Sequence, residues 1–135
     1  MTTVYLASPA NQLQAAALVD MPVLLSFGCW FEFLSSYAQS FGPLLLDSGA
    51  WSEFSTGKKV DPVEYFEWTT RFGDVDAIAG LDDISGDWRK SMERYRHGGF
   101  PTIHCSDPPE LLDDLIPLAR ERGGWIGIGL VPPRS

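Results

Sequence analysis

"PLLLDSG", residues 43–49, decides how the rest of the chain is read. Consecutive leucines with nothing polar between them suit a strand covered on both faces, as in a parallel sheet, rather than the in-out alternation of a sheet with one wet face. The run stops at Asp47, and Ser48 and Gly49 follow as turn formers. In parallel α/β folds, ligand sites lie at the C-terminal ends of the strands. A buried strand ending on a carboxylate therefore marks Asp47 as a candidate site residue.

Outward from this stretch the pattern recurs. Short apolar runs appear at "VYLAS" (4–8), "VLLSFGC" (23–29), "AIAGLDD" (77–83), "TIHCSD" (102–107) and "WIGIGLV" (125–131). Helical stretches separate most of them. "DPVEYFEWTTRF" (61–72) opens with Asp61 as N-cap, Pro62 at the first helical position and Glu64 placed for a capping box. "GDWRKSMERYRHGG" (86–99) has Asp87 as cap and Gly98–Gly99 as stop. "DPPELLDDLIPLARERGG" (107–124) repeats the design from Asp107, with Pro117 expected to bend it or start a new turn. "NQLQAAALVD" (11–20) and "FEFLSSYAQSF" (31–41) complete the set. Strand and helix alternate, which predicts one α/β domain over residues 1–135, either an open doubly wound sheet or part of a barrel, with about six parallel strands.

The totals narrow the function. Ten Lys and Arg against eighteen Asp and Glu give a net charge of −8, so the overall field repels phosphate backbones and leaves only local basic patches for nucleic acid. No apolar run approaches the roughly 20 residues of a membrane span, and the N-terminus lacks a secretory pattern. Cys29 and Cys105 lie in apolar runs with no CxxC partner, which predicts buried free thiols and a cytoplasmic setting. His97 and His104 have no zinc-type spacing, so no metal is expected. The absence of GxGxxG and GxxxxGK[ST] removes the usual nucleotide cofactor motifs, and no cofactor is expected.

Candidate site residues gather at the strand ends: Asp47, Asp82 with Asp83, and His104, with Gly127 and Gly129 leaving a late strand bare enough for close approach by a planar ligand. Each has a plainer reading. Asp83 and Asp107 suit N-cap or Asx-turn roles, and His104 suits a hydrogen-bonded core position. Ser48 is available to cap a following helix, which would leave Asp47 free. The "RKSMERYRH" run reads as a solvated helix face, with Arg89, Arg94 and Arg96 as minor phosphate contacts.

"LLLDSGAWSEFSTGKKVDPVEYFEW", "AGLDDISGDW" and "WIGIGLVPP" together resemble the tRNA-guanine transglycosylase (queuine tRNA-ribosyltransferase) superfamily, and more closely its short phage and bacterial queuine ribosyltransferase-like proteins. The resemblance implies a (β/α)₈ TIM-type barrel and a pentosyltransferase that exchanges guanine in tRNA or DNA for a 7-deazaguanine. It implies Asp47 as a proton-transfer residue, Ser48 and Gly49 shaping the pocket, and Asp82 on the amino and ring N–H edge of the base. It further implies His104 where the family reads the base carbonyl, and Gly129 with Leu130 closing over the heterocycle. A full barrel usually has about 250 residues. The 135 residues here therefore predict a partial barrel, incomplete at the C-terminus, that lacks the family's later nucleophilic aspartate and its zinc cluster and is completed by missing strands or by self-association. N-glycoside hydrolysis by Asp47 and Asp82, or a silent half-barrel that binds or oligomerises, are the alternatives.

Overall fold

In the computed structural model, which describes residues 2–129, Leu44–Asp47 forms strand β3 at the centre of a parallel sheet. β1 (Leu6–Ala7), β2 (Val23–Ser26), β3 and β4 (Ala77–Ile78) pair in sequence order, and β5 (Thr102–His104) pairs with β6 (Gly127–Gly129). All of these pairings are parallel. A single parallel bridge, Ala79 to Phe100, joins the two sets across β4 and β5. The α/β class and the parallel strands expected from the apolar runs are both present.

The crossovers hold α1 (Gln12–Ala17), α2 (Ala50–Thr56), α3 (Pro62–Thr69), α4 (Trp88–Arg94) and α5 (Leu112–Glu121). Asn11 caps α1 by accepting from the Gln14 amide, and Asp61 caps α3 by accepting from Val63. Asp87 caps α4 through Lys90, and Gly98 and Gly99, both at positive φ, end the turn that follows it. Helix α5 continues through Pro117. Two expectations need correction. Residues 31–41 form 3₁₀ turns (Glu32–Ser36 and Ala38–Ser40) rather than an α-helix. Ser36 there hydrogen-bonds the Phe33 carbonyl three residues back, the local competition that disfavours serine inside helices. Ser48 does not cap the helix that follows β3: Gly49, at φ 82°, occupies the cap position of α2, and no side chain caps it.

Period two sorts the strands into two faces. The outer face carries Val23, Leu25, Leu44 and Leu46, which pack with Leu34, Tyr65 and Trp68 in the main core. Full burial of a leucine such as Leu25 or Leu46, both at 0% exposure, stabilises the fold by about 1.5–3 kcal/mol. Strand β5 turns Ile103 outward onto a second cluster of Tyr95, Leu111 and Leu115.

The register places Ala7, Leu24, Leu45 and Ala77 on the other face, with Ala79, Phe100, Thr102 and Gly127 continuing it. Most of these residues are small, and the sheet curls around them. Neighbouring strands lie about 4.8 Å apart, so a flat sheet would put β1 and β4 about 14 Å apart, beyond the combined reach of two side chains. Yet the Tyr5 hydroxyl donates to Asp76 just before β4. Tyr5 also meets the Trp125 ring edge-on at 6.4 Å, and Trp125 stacks on Phe100 at 6.2 Å. Aromatic contacts thus gather the N-terminal strand ends on the concave side, and the opposite ends stay polar.

Candidate functional site at the C-terminal strand ends

The parity that sends Leu24 and Leu45 to the concave face sends Ser26 and Asp47 there too, one step further along. The same holds for Phe100, Thr102 and His104 on β5 and for Gly127 and Gly129 on β6. Asp82 reaches the same rim from the loop after β4. Asp47, Asp82 and His104, singled out from separate apolar runs, are therefore neighbours.

Asp47 is not the free carboxylate that a Ser48 cap would have left. Its Oδ2 accepts from Ser26 Oγ at 3.1 Å and from the Gly49 amide at 2.9 Å, and Ser48 Oγ is buried without a hydrogen-bond partner. Gly49 cannot be replaced cheaply: a Cβ there would lie 2.5 Å from the Gly28 amide nitrogen. Burial pushes the Asp47 carboxyl above the usual carboxylate range, the Asp82 charge pushes the same way, and the two hydrogen bonds only partly offset them.

His104, 3% exposed, lies between two acids. Its Nε2 is 2.7 Å from Asp82 Oδ2 and its Nδ1 is 3.3 Å from Asp107 Oδ2. A neutral imidazole has one N–H, whereas two flanking carboxylates call for a donor at each nitrogen, which only the imidazolium supplies. Consistently, the hydrogen bond to Asp82 raises the His104 pKa above its ordinary value, with burial opposing and the charges of both acids adding to the rise. The plain reading of His104 as a satisfied buried histidine is correct as far as it goes. Its partners make it an ion-paired triad.

Asp107 joined this group unannounced. It does not cap the following helix: its Oδ2 turns back to accept from the His104 amide at 2.8 Å, and its Oδ1 is buried without a partner. The signal in the sequence was its spacing, three residues after a strand-end histidine. Asp83 is the turn residue expected, since its Oδ1 accepts from the Ser85 amide at 2.9 Å and Lys90 pairs with its Oδ2 at 3.0 Å.

Three other expectations are overturned. The space beside Gly127 and Gly129 is filled by the neighbouring strand, not left for a planar ligand: added Cβ atoms would lie 2.4 Å from Thr102 Oγ1 and 2.7 Å from His104 Cδ2. Leu130 lies outside the described residues. Cys29 and Cys105 are exposed free thiols rather than buried ones, because each sits just past its strand, in a turn. Arg94 is committed to the fold, pairing with Glu53 at 2.8 Å and donating to the Asp82 carbonyl at 3.2 Å. Among the described residues no cluster of metal-ligating side chains occurs, and no helix is long and apolar enough to cross a membrane.

Two open clefts flank the rim. One, about 180 Å³, runs between α2 and the loop after β4 and is lined by Phe54, Lys59, Asp83 and Lys90 among others. The other, about 500 Å³, lies beyond the loop that follows α2, with Cys29, Lys58 and Glu64 on its walls. Comparison of the chain with protein-family models, curated proteins and solved structures returned no match.

Proposed function

We propose that this chain is a transglycosylase-like domain, built as part of a (β/α)₈ barrel, that binds guanine or a 7-deazaguanine for base exchange in nucleic acid. The barrel reading rests on the strand order, which runs in sequence without the reversal of a doubly wound sheet, and on the small inner residues around which the sheet curls. The functional reading rests on the resemblance of the three sequence blocks and on one observation: Asp47 and Asp82 share the strand-end rim, with Asp82 Oδ2 held 2.7 Å from His104 Nε2.

That pair suits cleavage of an N-glycosidic bond. When the bond from C1′ to the base nitrogen breaks, its electron pair stays with the base, which then needs a proton; cationic character develops on the ribose. Asp47 is the donor to the departing base and the acceptor when a new base attacks. Asp82 offers its remaining oxygen lone pairs to the adjacent N–H groups of a guanine edge, and His104 fixes its orientation.

The test is isotopic exchange of labelled guanine into tRNA and into DNA, with parallel titration of guanine and 7-deazaguanine. Asp82→Asn should lose base binding, and Asp47→Asn should keep binding and lose exchange by at least 100-fold, the lower end for removal of a general acid. Ribose release from nucleosides without exchange would make the site a hydrolase. Failure of guanine to bind the wild-type chain would sink the reading.

A further inference from the structure

The crossover from β2 to β3 runs through 3₁₀ turns rather than an α-helix, and a cavity of about 320 Å³ lies between those turns and the loop that joins α3 to β4. Leu44, the first residue of β3, lines it, so about 10 Å of strand separates it from Asp47 at the other end. The cavity is distinct from the acid cluster. Its volume falls at the small end of the roughly 300–1,000 Å³ of ligand pockets, which suits one small molecule rather than a polymer.

Part of the lining is aromatic. Trp30 and Phe72 meet at 5.6 Å with their planes at 90°, and Phe41, buried, adds a third ring. Edge-to-face packing is the arrangement aromatic side chains prefer, and a further ring entering the cavity can extend it. Two charged residues line the same space, Arg71 and Asp74, and they do not pair with each other. Arg71 reaches Glu32 through Nη1 alone, at 3.4 Å, and both side chains are exposed, so that contact holds it weakly. Glu32 also accepts from Trp30 Nε1 at 3.1 Å and from Ser35 Oγ at 3.4 Å, and keeps those donors if Arg71 turns away. The remaining N–H groups of Arg71 form a fork suited to a carboxylate. Asp74 is exposed and enters no ion pair among the described residues.

Such a lining selects by charge. Arg71 opposes a simple cation, whereas Asp74, Glu32 and the net charge of −8 oppose a simple anion. A zwitterion with an aromatic body satisfies both and fills the apolar part. We propose that this cavity binds a free aromatic α-amino acid, its carboxylate on Arg71 and the Gln39 amide, its ammonium on Asp74 and its ring against Trp30 and Phe72. The end of a peptide carries only one of the two charges and leaves the other group of the lining without a partner. The inference stands apart from the reading of Asp47 and Asp82, whose neighbours it does not use.

The experiment is isothermal titration calorimetry of the 135-residue chain with phenylalanine and with three relatives that each lack one feature. Phenylacetate lacks the ammonium, phenethylamine the carboxylate and alanine the ring. Each should bind at least tenfold more weakly than phenylalanine, the loss of a hydrogen bond to a charged group or of one buried ring. Arg71→Gln should weaken phenylalanine at least tenfold and leave phenethylamine as it was; Asp74→Asn should weaken phenylalanine as much and leave phenylacetate as it was. Both residues are exposed, so unchanged circular-dichroism melting verifies that the variants fold. No saturable binding of phenylalanine, equal binding of any of the three relatives, or variants that bind phenylalanine like the wild type would each overturn the proposal.

Discussion

The loops that follow β3 and β4 use one local device. In the first, Asp47 accepts from the amide two residues on, Gly49, at 2.9 Å; in the second, Asp83 does the same with Ser85, also at 2.9 Å. Both are Asx-type turns behind an apolar strand. Their electrostatics are opposite. Burial and Asp82 push Asp47 upward. Burial also acts on Asp83, but hydrogen bonds from Ser85 and the ammonium of Lys90 outweigh it and hold that carboxyl below the usual range. A turn motif thus sets where a carboxylate points, and the neighbours that the fold brings up decide whether it keeps its proton. Asp83 behaves as structure, Asp47 as a candidate for chemistry.

The contrast can be broken or sharpened in order of effect. Tyr65 underlies both loops, with no exposed surface and its hydroxyl donating to the Ala79 carbonyl at 2.7 Å. Tyr65→Ala should cost about 3–5 kcal/mol by urea unfolding, as for other large aromatics. A loss below 1 kcal/mol would show that the two loops do not share this support.

His104→Leu comes next. It leaves Asp82 and Asp107 facing a site with no cation, at a cost of about 3 kcal/mol at neutral pH. In the wild type the raised His104 pKa contributes stability that is complete below about pH 6.5, the ordinary histidine value, and is lost as pH rises through the folded-state pKa. The stability curve should therefore fall on the alkaline side in the wild type and lose that fall in the variant. Identical pH profiles would argue against an imidazolium between the two acids.

The two aspartates then give effects of opposite sign. Asp47 has a raised folded-state pKa, so folding is penalised as pH climbs past the unfolded value near 3.8 and the carboxyl is pressed to ionise. Asp47→Asn keeps an acceptor for Gly49 and Ser26 and removes that pressure. It should stabilise the chain by about 0.5–2 kcal/mol at pH 7, the usual gain when a functional group is relieved, and by nothing near pH 3. Asp83 has a lowered pKa, so its contribution is present above pH 3.8 and is lost as pH falls. Asp83→Asn should destabilise by ~1 kcal/mol at pH 7, an amount kept small by the exposure of Lys90, and by less in acid. Matched thermal melts at pH 3 and pH 7 read both; equal signs at pH 7 would erase the distinction between the loops.

Much of this was open to a reader of the chain alone. Each of the six apolar runs contains a strand, and Leu44–Asp47 ends on the expected residue, because hydrophobic runs bounded by turn formers are a local signal. The caps at Asp61 and Asp87 and the stop at Gly98–Gly99 are equally local. The cap of helix α2 falls on Gly49 rather than Ser48, and a glycine in the left-handed region offers no capping side chain for a sequence reading to find. Asp107 was misjudged because an Asp-Pro pair opening a helix looks the same whether its carboxylate faces forward or back. The two thiols were misplaced because an apolar run does not say where its strand stops.

What the order of residues determined by itself is the alternation of strand and helix and, through period two, which strand-end groups share a face with Leu45 and Ala77. Only the tertiary structure decided the rest: that the sheet curls enough to bring Asp47, Asp82, His104 and Asp107 together, that the histidine is shared between two acids, and that one carboxyl is pushed up while another is held down. Hydrophobic period is written along a few consecutive residues. A proton's affinity is set by charges and burial contributed from positions as distant in sequence as 47 and 82, and it exists only once the chain has closed around them.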